Sequence, residues 1–279
     1  MSTDQLPPPR PAPDPLDDEC LDLLAEPFAS AWQVGAARPP ILRERVLERV
    51  TRSARASSAF VTVRCLHAVP LRLAAGVEAR TLYDARGGVA RPGEPARVRI
   101  VELAAGARWL PDLLPGMVCE WLVMDGAVRF GDLLLRARDF HRLPADAGLP
   151  ELHGIDRARL YLREAPVVDT AGAAALTVHD DPARWDDFAP GIKRRVLWSR
   201  GGEAALLYHA LPDAQVPRHG HGHDEECLML DGEVFLDDVL LRAGDYQLAP
   251  AGTQHGGVST DTGGLLFAHG DLDLDIRAE

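Results

Sequence analysis

The chain has 279 residues, enough for two domains with sizeable cores, and its 46% hydrophobic and 26% charged content is that of a globular protein. Thirty Lys and Arg against 42 Asp and Glu give a formal charge of −12, which argues against general binding to nucleic acid or to an anionic membrane. No apolar run approaches membrane length, and the start MSTDQLPPPRPAPDP lacks the basic and apolar regions of a signal peptide, so a cytoplasmic location without membrane contact is expected. Cys20, Cys65, Cys119 and Cys227 form no CxxC pair and read as reduced thiols.

In chain order, residues 1–16 are rich in Pro and Asp and too poor in apolar side chains to repay ordering, which predicts a flexible tail. From Asp17, apolar Leu21, Leu24, Phe28 and Trp32 recur at helical steps, and a second stripe of Leu42, Val46 and Val50 follows Pro39 and Pro40. A helical segment over 17–55 is expected, with its apolar faces either packed on the rest of the chain or docking a partner protein. After residue 56 the pattern changes to short β-rich runs such as AFVTVRCL, ARVRIVEL, CEWLVM, RVLWS, EECLML and GLLFAH, punctuated by Gly, Pro and Asp. The fold class is therefore all-β, although strand periodicity alone does not separate a jelly-roll barrel from an immunoglobulin-like sandwich.

The β region is an internal repeat. WLVMDGAVRFGDLLLRARDFHRLPA lies against CLMLDGEVFLDDVLLRAGDYQLAPA at an offset of 106 residues, and upstream GVEARTLYDARGG matches GIKRRVLWSRGG at 115. Two units are expected, over 56–165 and 166–279.

The second unit carries the chemistry. In PRHGHGHDEECLML, residues His219, His221 and Glu225 share one parity and leave an extended strand by the same face, whereas Glu226 leaves by the other. Downstream, Gly244, Pro250, Ala251 and Gly252 supply a turn that returns His255 toward the first segment. Three imidazoles and a carboxylate suit a divalent first-row ion such as Zn, Fe, Mn, Ni or Cu and leave positions open on a six-coordinate metal. The competing reading is a solvated His/Gly/Asp loop. His223 has the same parity but reads as a supporting or loop residue. In the first unit the same columns hold Leu113, Pro115, Cys119 and Leu149, which make no metal ligand set, since a single Cys119 cannot hold an ion alone. That unit is expected to act as a scaffold, a dimer surface or an apolar pocket lined by Leu113, Trp121 and Leu149.

These spacings resemble the cupin superfamily, whose motifs run HxH, three or four residues, Glu, six residues, Gly, and then Gly, five residues, PxG, two residues, His. The likeness covers residues 219–255 and implies two tandem cupin barrels, each a double-stranded β-helix of jelly-roll type, with one metal at His219, His221, Glu225 and His255. Two positions depart from the pattern: Asp213 stands where a Gly is usual and Ser259 where an Asn is common. GVEARTLY, GIKRRVLW, EECLMLDGEV and GDYQLAPAGTQH further resemble the ChrR-type cupin of certain anti-sigma factors. That resemblance implies zinc as the ion, with Fe, Mn or Ni as alternatives. It also implies a regulator or sensor of oxidative or small-molecule stress that binds a sigma factor through 17–55, and Cys227 is near enough in sequence to make the site responsive. The zinc motif of those sigma-binding domains is missing, because residues 1–58 contain no histidine and only Cys20. The alternative is a metal-dependent cupin dioxygenase, for which Tyr208, His209, Arg242 and Tyr246 are possible acid/base or orienting groups. A small-molecule ligand and a homodimer are compatible with either.

Overall fold

Side-chain alternation on two long strands organises the structure, a computed structural model that describes residues 44, 46, 47, 50, 51, 59–85, 94–145, 147–167 and 174–276. On the Ala158–Pro166 strand, Leu160 and Leu162 point into a core with Val101, Leu103 and Trp121, while Tyr161 points the other way, into a layer it shares with Leu228 and Phe267. On the Glu225–Leu236 strand, Cys227 and Met229 face an interior of their own and Leu228 faces the shared layer. Both strands are buried on two faces, which explains why they read as near-continuous apolar runs.

The described residues are almost entirely β, and their strands fall into two sets of like order. In the N-terminal half a seven-stranded sheet runs Leu176–Val178, Phe140–Leu143, Met117–Asp125, Ala158–Pro166, Arg97–Leu103, Val77–Asp84, Leu71–Ala74. In the C-terminal half the corresponding path runs Val61–Val63, Tyr246–Ala249, Glu225–Leu236, Gly264–Asp271, Glu203–Ala210, Ile192–Arg200, Asp186–Ala189. Each half thus borrows its first strand from the segment that precedes the other. Val61–Val63 and Leu176–Val178 are related by the repeat offset of 115, and each covers a sheet edge that would otherwise expose unpaired backbone groups. The docking is also repeated: Asp245 accepts from Cys65 N at 3.2 Å and pairs with Arg64 at 2.8 Å, while Asp139 accepts from Asp180 N at 2.6 Å and lies 3.0 Å from His179 Nδ1.

A buried polar network fills the shared layer. Glu226 accepts from Tyr161 and Tyr246 hydroxyls, each at 2.9 Å, and from Arg163 Nε at 2.5 Å. Its repeat mate Glu120 meets Arg142 at 3.1 Å, Arg163 at 3.5 Å and His269 at 3.1 Å. Positions 163 and 269 are again 106 apart, so each half sends a carboxylate to a basic group of the other. Burial opposes ionisation of Glu120, but His269, Arg163 and Arg142 hold its carboxyl down to about 2.

Residues 51–279 form one compact unit, and residues 1–50 form another. The expected tail over 1–16 lies outside the described residues, as does most of the expected helical segment over 17–55. Of the first 50 residues only Glu44, Val46, Leu47 and Val50 are described, and these are helical and exposed. Among the described residues no helix is long and apolar enough to cross a membrane.

Arg163→Met removes the cation that two buried carboxylates share. Breaking a buried pair costs roughly 3–5 kcal/mol, so the melting temperature should drop on the order of 10 °C. Arg157→Met breaks an ion pair whose Arg side chain is 76% exposed, and should shift the melting temperature by no more than about 2 °C. Thermal melts followed by circular dichroism compare the two.

Candidate metal centre

The site is assembled by a short ladder. His219–Gly220 pairs antiparallel with Gln254–His255, which sets His219 directly opposite His255. His221 N donates to Thr253 O at 3.0 Å and Gly252 N to His221 O at 2.8 Å. The turn that allows this is Pro250–Thr253, closed by a Thr253 N to Pro250 O bond of 3.1 Å, with Gly252 at φ +82° where a side chain would be strained. Glu225 starts the adjoining long strand. The backbone of Gly270 passes so close that a Cβ there would lie 3.2 Å from Glu225 Cα.

Each imidazole is held from outside by Nδ1. His219 Nδ1 is 3.0 Å from Pro217 O, His221 Nδ1 3.1 Å from Thr253 Oγ1, and His255 Nδ1 3.1 Å from Asp237 Oδ2. The Pro217 carbonyl can only accept, and the Thr253 hydroxyl already donates to Pro250 O at 2.6 Å. These partners therefore place the proton on Nδ1 and leave the Nε2 lone pair free for a metal, the arrangement that outer partners impose on ligating histidines.

The free nitrogens converge. His221 Nε2 and His255 Nε2 lie 3.2 and 3.4 Å from Glu225 Oε2, and ligand atoms of His219, His221 and Glu225 fall within 4.8 Å of one another. Two donors at about 2.1 Å from a common ion stand about 3.0–3.5 Å apart, so this spacing suits one shared cation. All four residues are buried, and the Nε2 atoms of His221 and His255 make no well-formed hydrogen bond, the Glu225 carboxylate being the polar group they face. Unpartnered buried polar atoms are costly, and a coordinated cation would satisfy both.

A family model for the ChrR cupin-like domain matches residues 173–273. Residues 173–273 therefore carry a ChrR cupin-like domain. Solved structures agree on the fold. Protein Ylba from Escherichia coli superposes with a TM-score of 0.60 at 12% identity, covering 78% of this chain and 93% of that one. Bacterial pirin YhhW from E. coli, in complex with nickel(II), gives 0.55 at 12%, covering 76% and 99%. Oxalate decarboxylase from Lactobacillus farciminis, as a formate complex, gives 0.54 at 12%, covering 77% and 87%. No curated protein matched the chain.

In the N-terminal half of the chain the ligand columns are used differently. Leu113 and Leu149 pack against the core and Cys119 is buried. Opposite Cys119 stands Glu164, whose carboxylate accepts from Arg97 at 2.6 and 2.9 Å, from Arg99 at 3.4 Å and from Leu114 N at 2.7 Å. Leu114 sits between the first two ligand columns. A guanidinium–carboxylate cluster thus fastens the loop that the histidine ladder occupies in the C-terminal half. Among the described residues no group of potential metal ligands converges in the N-terminal half.

The two interiors also differ in volume. Trp121, Phe130 and Leu162 fill the first, with Trp121 packed edge-on to Phe130 at 5.1 Å and to Trp109 at 6.2 Å. Their repeat mates are Cys227, Leu236 and Ala268, all smaller, and they line a cavity of about 70 Å³ that also touches His219 and Glu225. The apolar pocket expected around Leu113, Trp121 and Leu149 is instead packed by these aromatics. A β-bulge between Met229 and Asp231 shifts the register so that Val234 and Leu236 face the cavity after Cys227 and Met229 have done so.

The remaining candidates separate. His223 Nδ1 pairs with Asp271 at 2.5 Å, and Asp271 also accepts from Gly222 N, so this pair braces the loop beside the quartet. Tyr246 is committed to Glu226, His209 is exposed beside Trp185, and Arg242 pairs with Glu233 outside. Tyr208 alone of the four lines the cavity. Cys227 faces the cavity too, but burial and the Glu225 carboxylate push its thiol well up, which disfavours the reactive thiolate and argues against a redox role. Thr253 and Asp237 escaped the sequence reading. Thr253, inside the turn two residues before His255, carried a usable signal; Asp237 carried none.

Proton linkage at the site has a definite sign. Burial favours neutral imidazole and lowers His219. At His255 burial acts the same way, but the Asp237 and Glu225 carboxylates outweigh it and push the ring up to about 9. In metal-free protein the charged His255 adds stability that is fully present below about 6.5, the ordinary histidine value, and is lost as pH rises through about 9. A metal must displace that proton. Calorimetric titration of the metal-free chain at pH 7.5 in buffers of different ionisation enthalpy should show about one proton released per ion, with affinity rising with pH up to about 9. Proton-neutral binding would contradict this protonation scheme.

Proposed function

We propose that the chain carries one divalent first-row ion at His219, His221, Glu225 and His255 in the second of two tandem barrels, and that this centre makes it a ChrR-type regulator or sensor of a small-molecule or oxidative signal. The observation that carries the metal is the pair of buried Nε2 atoms that face the Glu225 carboxylate without a well-formed hydrogen bond. Zinc is the ion this reading favours, with iron, manganese or nickel as alternatives, since imidazole serves them all. The first barrel, plugged by aromatics and by the Glu164–Arg97 pair, is a scaffold that supplies one edge strand and half of the shared polar layer. The output is a change in docking of a sigma factor or similar protein through 17–55, in the cytoplasm.

In this structure the ion's role would be electrostatic: it would neutralise the buried Glu225 and tie the 219–221 segment to the long strand, as the Arg97–Glu164 pair ties Leu114 in the other half. A second reading, a metal-dependent dioxygenase, draws support from the cavity beside His219 and Glu225. Elemental analysis of protein purified without added metal should find one ion per chain, and none in the His219→Ala, His255→Ala double variant. Two ions per chain, or full occupancy in that variant, would overturn the assignment. An oxygen-uptake screen of Fe(II)-loaded protein divides the two readings: stable zinc without uptake fits the regulator, and turnover with Fe(II) fits the dioxygenase.

A further inference from the structure

The cavity against the metal centre is almost wholly apolar, walled by Ile192, Val216, Met229, Leu236, Val258 and Leu266, and it touches the quartet only at His219 and Glu225. One polar group on its wall is unexplained. Tyr208 extends from the Glu203–Ala210 strand, its ring edge-on to Phe188 at 5.2 Å, and its buried hydroxyl makes no hydrogen bond of ordinary geometry. Arg194 sits opposite it in the strand register and its charge bears on the hydroxyl, but that guanidinium donates to Leu272 O at 2.6 Å, lies 3.6 Å from Asp273 and makes no well-formed hydrogen bond to Tyr208. A buried hydroxyl without a well-formed hydrogen bond is a cost that a bound oxygen would remove.

Size and charge limit what can bind. An apolar cavity of about 150 Å³ takes benzene, so about 70 Å³ holds a tail of roughly three carbons and no aromatic ring. Three neutral imidazoles and one carboxylate leave a divalent ion with a net charge of about +1, which a single carboxylate neutralises. A longer dicarboxylate would carry its second carboxylate into the apolar wall, whose lining includes no Lys or Arg to pair with it.

We infer that the site takes a short aliphatic monocarboxylate, its apolar tail in the cavity and its carboxylate at the metal centre, with Tyr208 donating a hydrogen bond to it as the specificity-determining residue. This inference rests on the metal reading above.

Cobalt(II) tests both separately, because its visible bands report the ion whatever the chemistry. The full chain loaded with Co(II) is titrated with propionate and butyrate. The bands should shift and saturate, benzoate and succinate should leave them unchanged, and Tyr208→Phe should weaken butyrate binding about tenfold to a hundredfold, the worth of one hydrogen bond to a charged group. Tyr208→Phe keeps the ring that packs on Phe188, and its ligand-free bands show whether the site is intact. If the bands form but butyrate does not move them, if succinate or benzoate binds as well, or if Tyr208→Phe binds butyrate like the parent, this inference is overturned and the metal reading stands. If no imidazole-ligated cobalt spectrum forms, the metal reading fails and takes this inference with it.

Discussion

A carboxylate buried among imidazoles cannot remain without a cation, and much of the C-terminal half is arranged around that requirement. Glu225 is kept ionised, its carboxyl held well below the usual range despite burial by contacts with His221 and His255. In metal-free protein the compensating charge is a proton on His255, shared with Asp237. A divalent ion would satisfy the same carboxylate and also the lone pairs of the other two rings. The ladder, the Pro250–Thr253 turn and the close passage of Gly270 are the local devices that bring these groups within reach.

The next residue, Glu226, has the same requirement on the opposite face of the strand and meets it with Arg163 from the other half. One strand therefore joins the candidate metal centre to the layer between the halves through adjacent peptide units. The N-terminal half answers its own buried carboxylates with guanidinium groups: Arg97 and Arg99 at Glu164, Arg142 and Arg163 at Glu120. This explains how one copy of a repeated fold persists without ligands. An organic cation can fasten the equivalent loop and large aromatics can fill the equivalent interior, whereas the smaller Cys227, Leu236 and Ala268 leave the other copy hollow.

Much of this was legible in the residue pattern because it is periodic. Parity separated Glu225 from Glu226, and the structure puts the first beside the histidines and the second in the shared layer. The repeat offset marked Leu113, Pro115, Cys119 and Leu149 as non-ligating columns, and those residues lie in packing or in a loop fastened by Glu164. What was not legible depends on contacts distant in sequence. The exchange of Val61–Val63 for Leu176–Val178 involves strands of three residues, too short to show which sheet they join. Asp237 and the Arg163–Glu226 pair are ordinary surface-type residues in sequence and become significant only when the strands assemble. Tyr208 could not be told from His209 until the sheet showed which of the two faces inward.

The central claim is that one cation sits where three Nε2 lone pairs and the Glu225 carboxylate converge. Diffraction from crystals of the metal-loaded chain, recorded on both sides of the ion's absorption edge, tests it most directly. The account requires one strong anomalous peak per chain within coordination distance of His219, His221, Glu225 and His255. A peak elsewhere, a second peak of equal height in the N-terminal half, or none in crystals whose solution contains bound metal would contradict it.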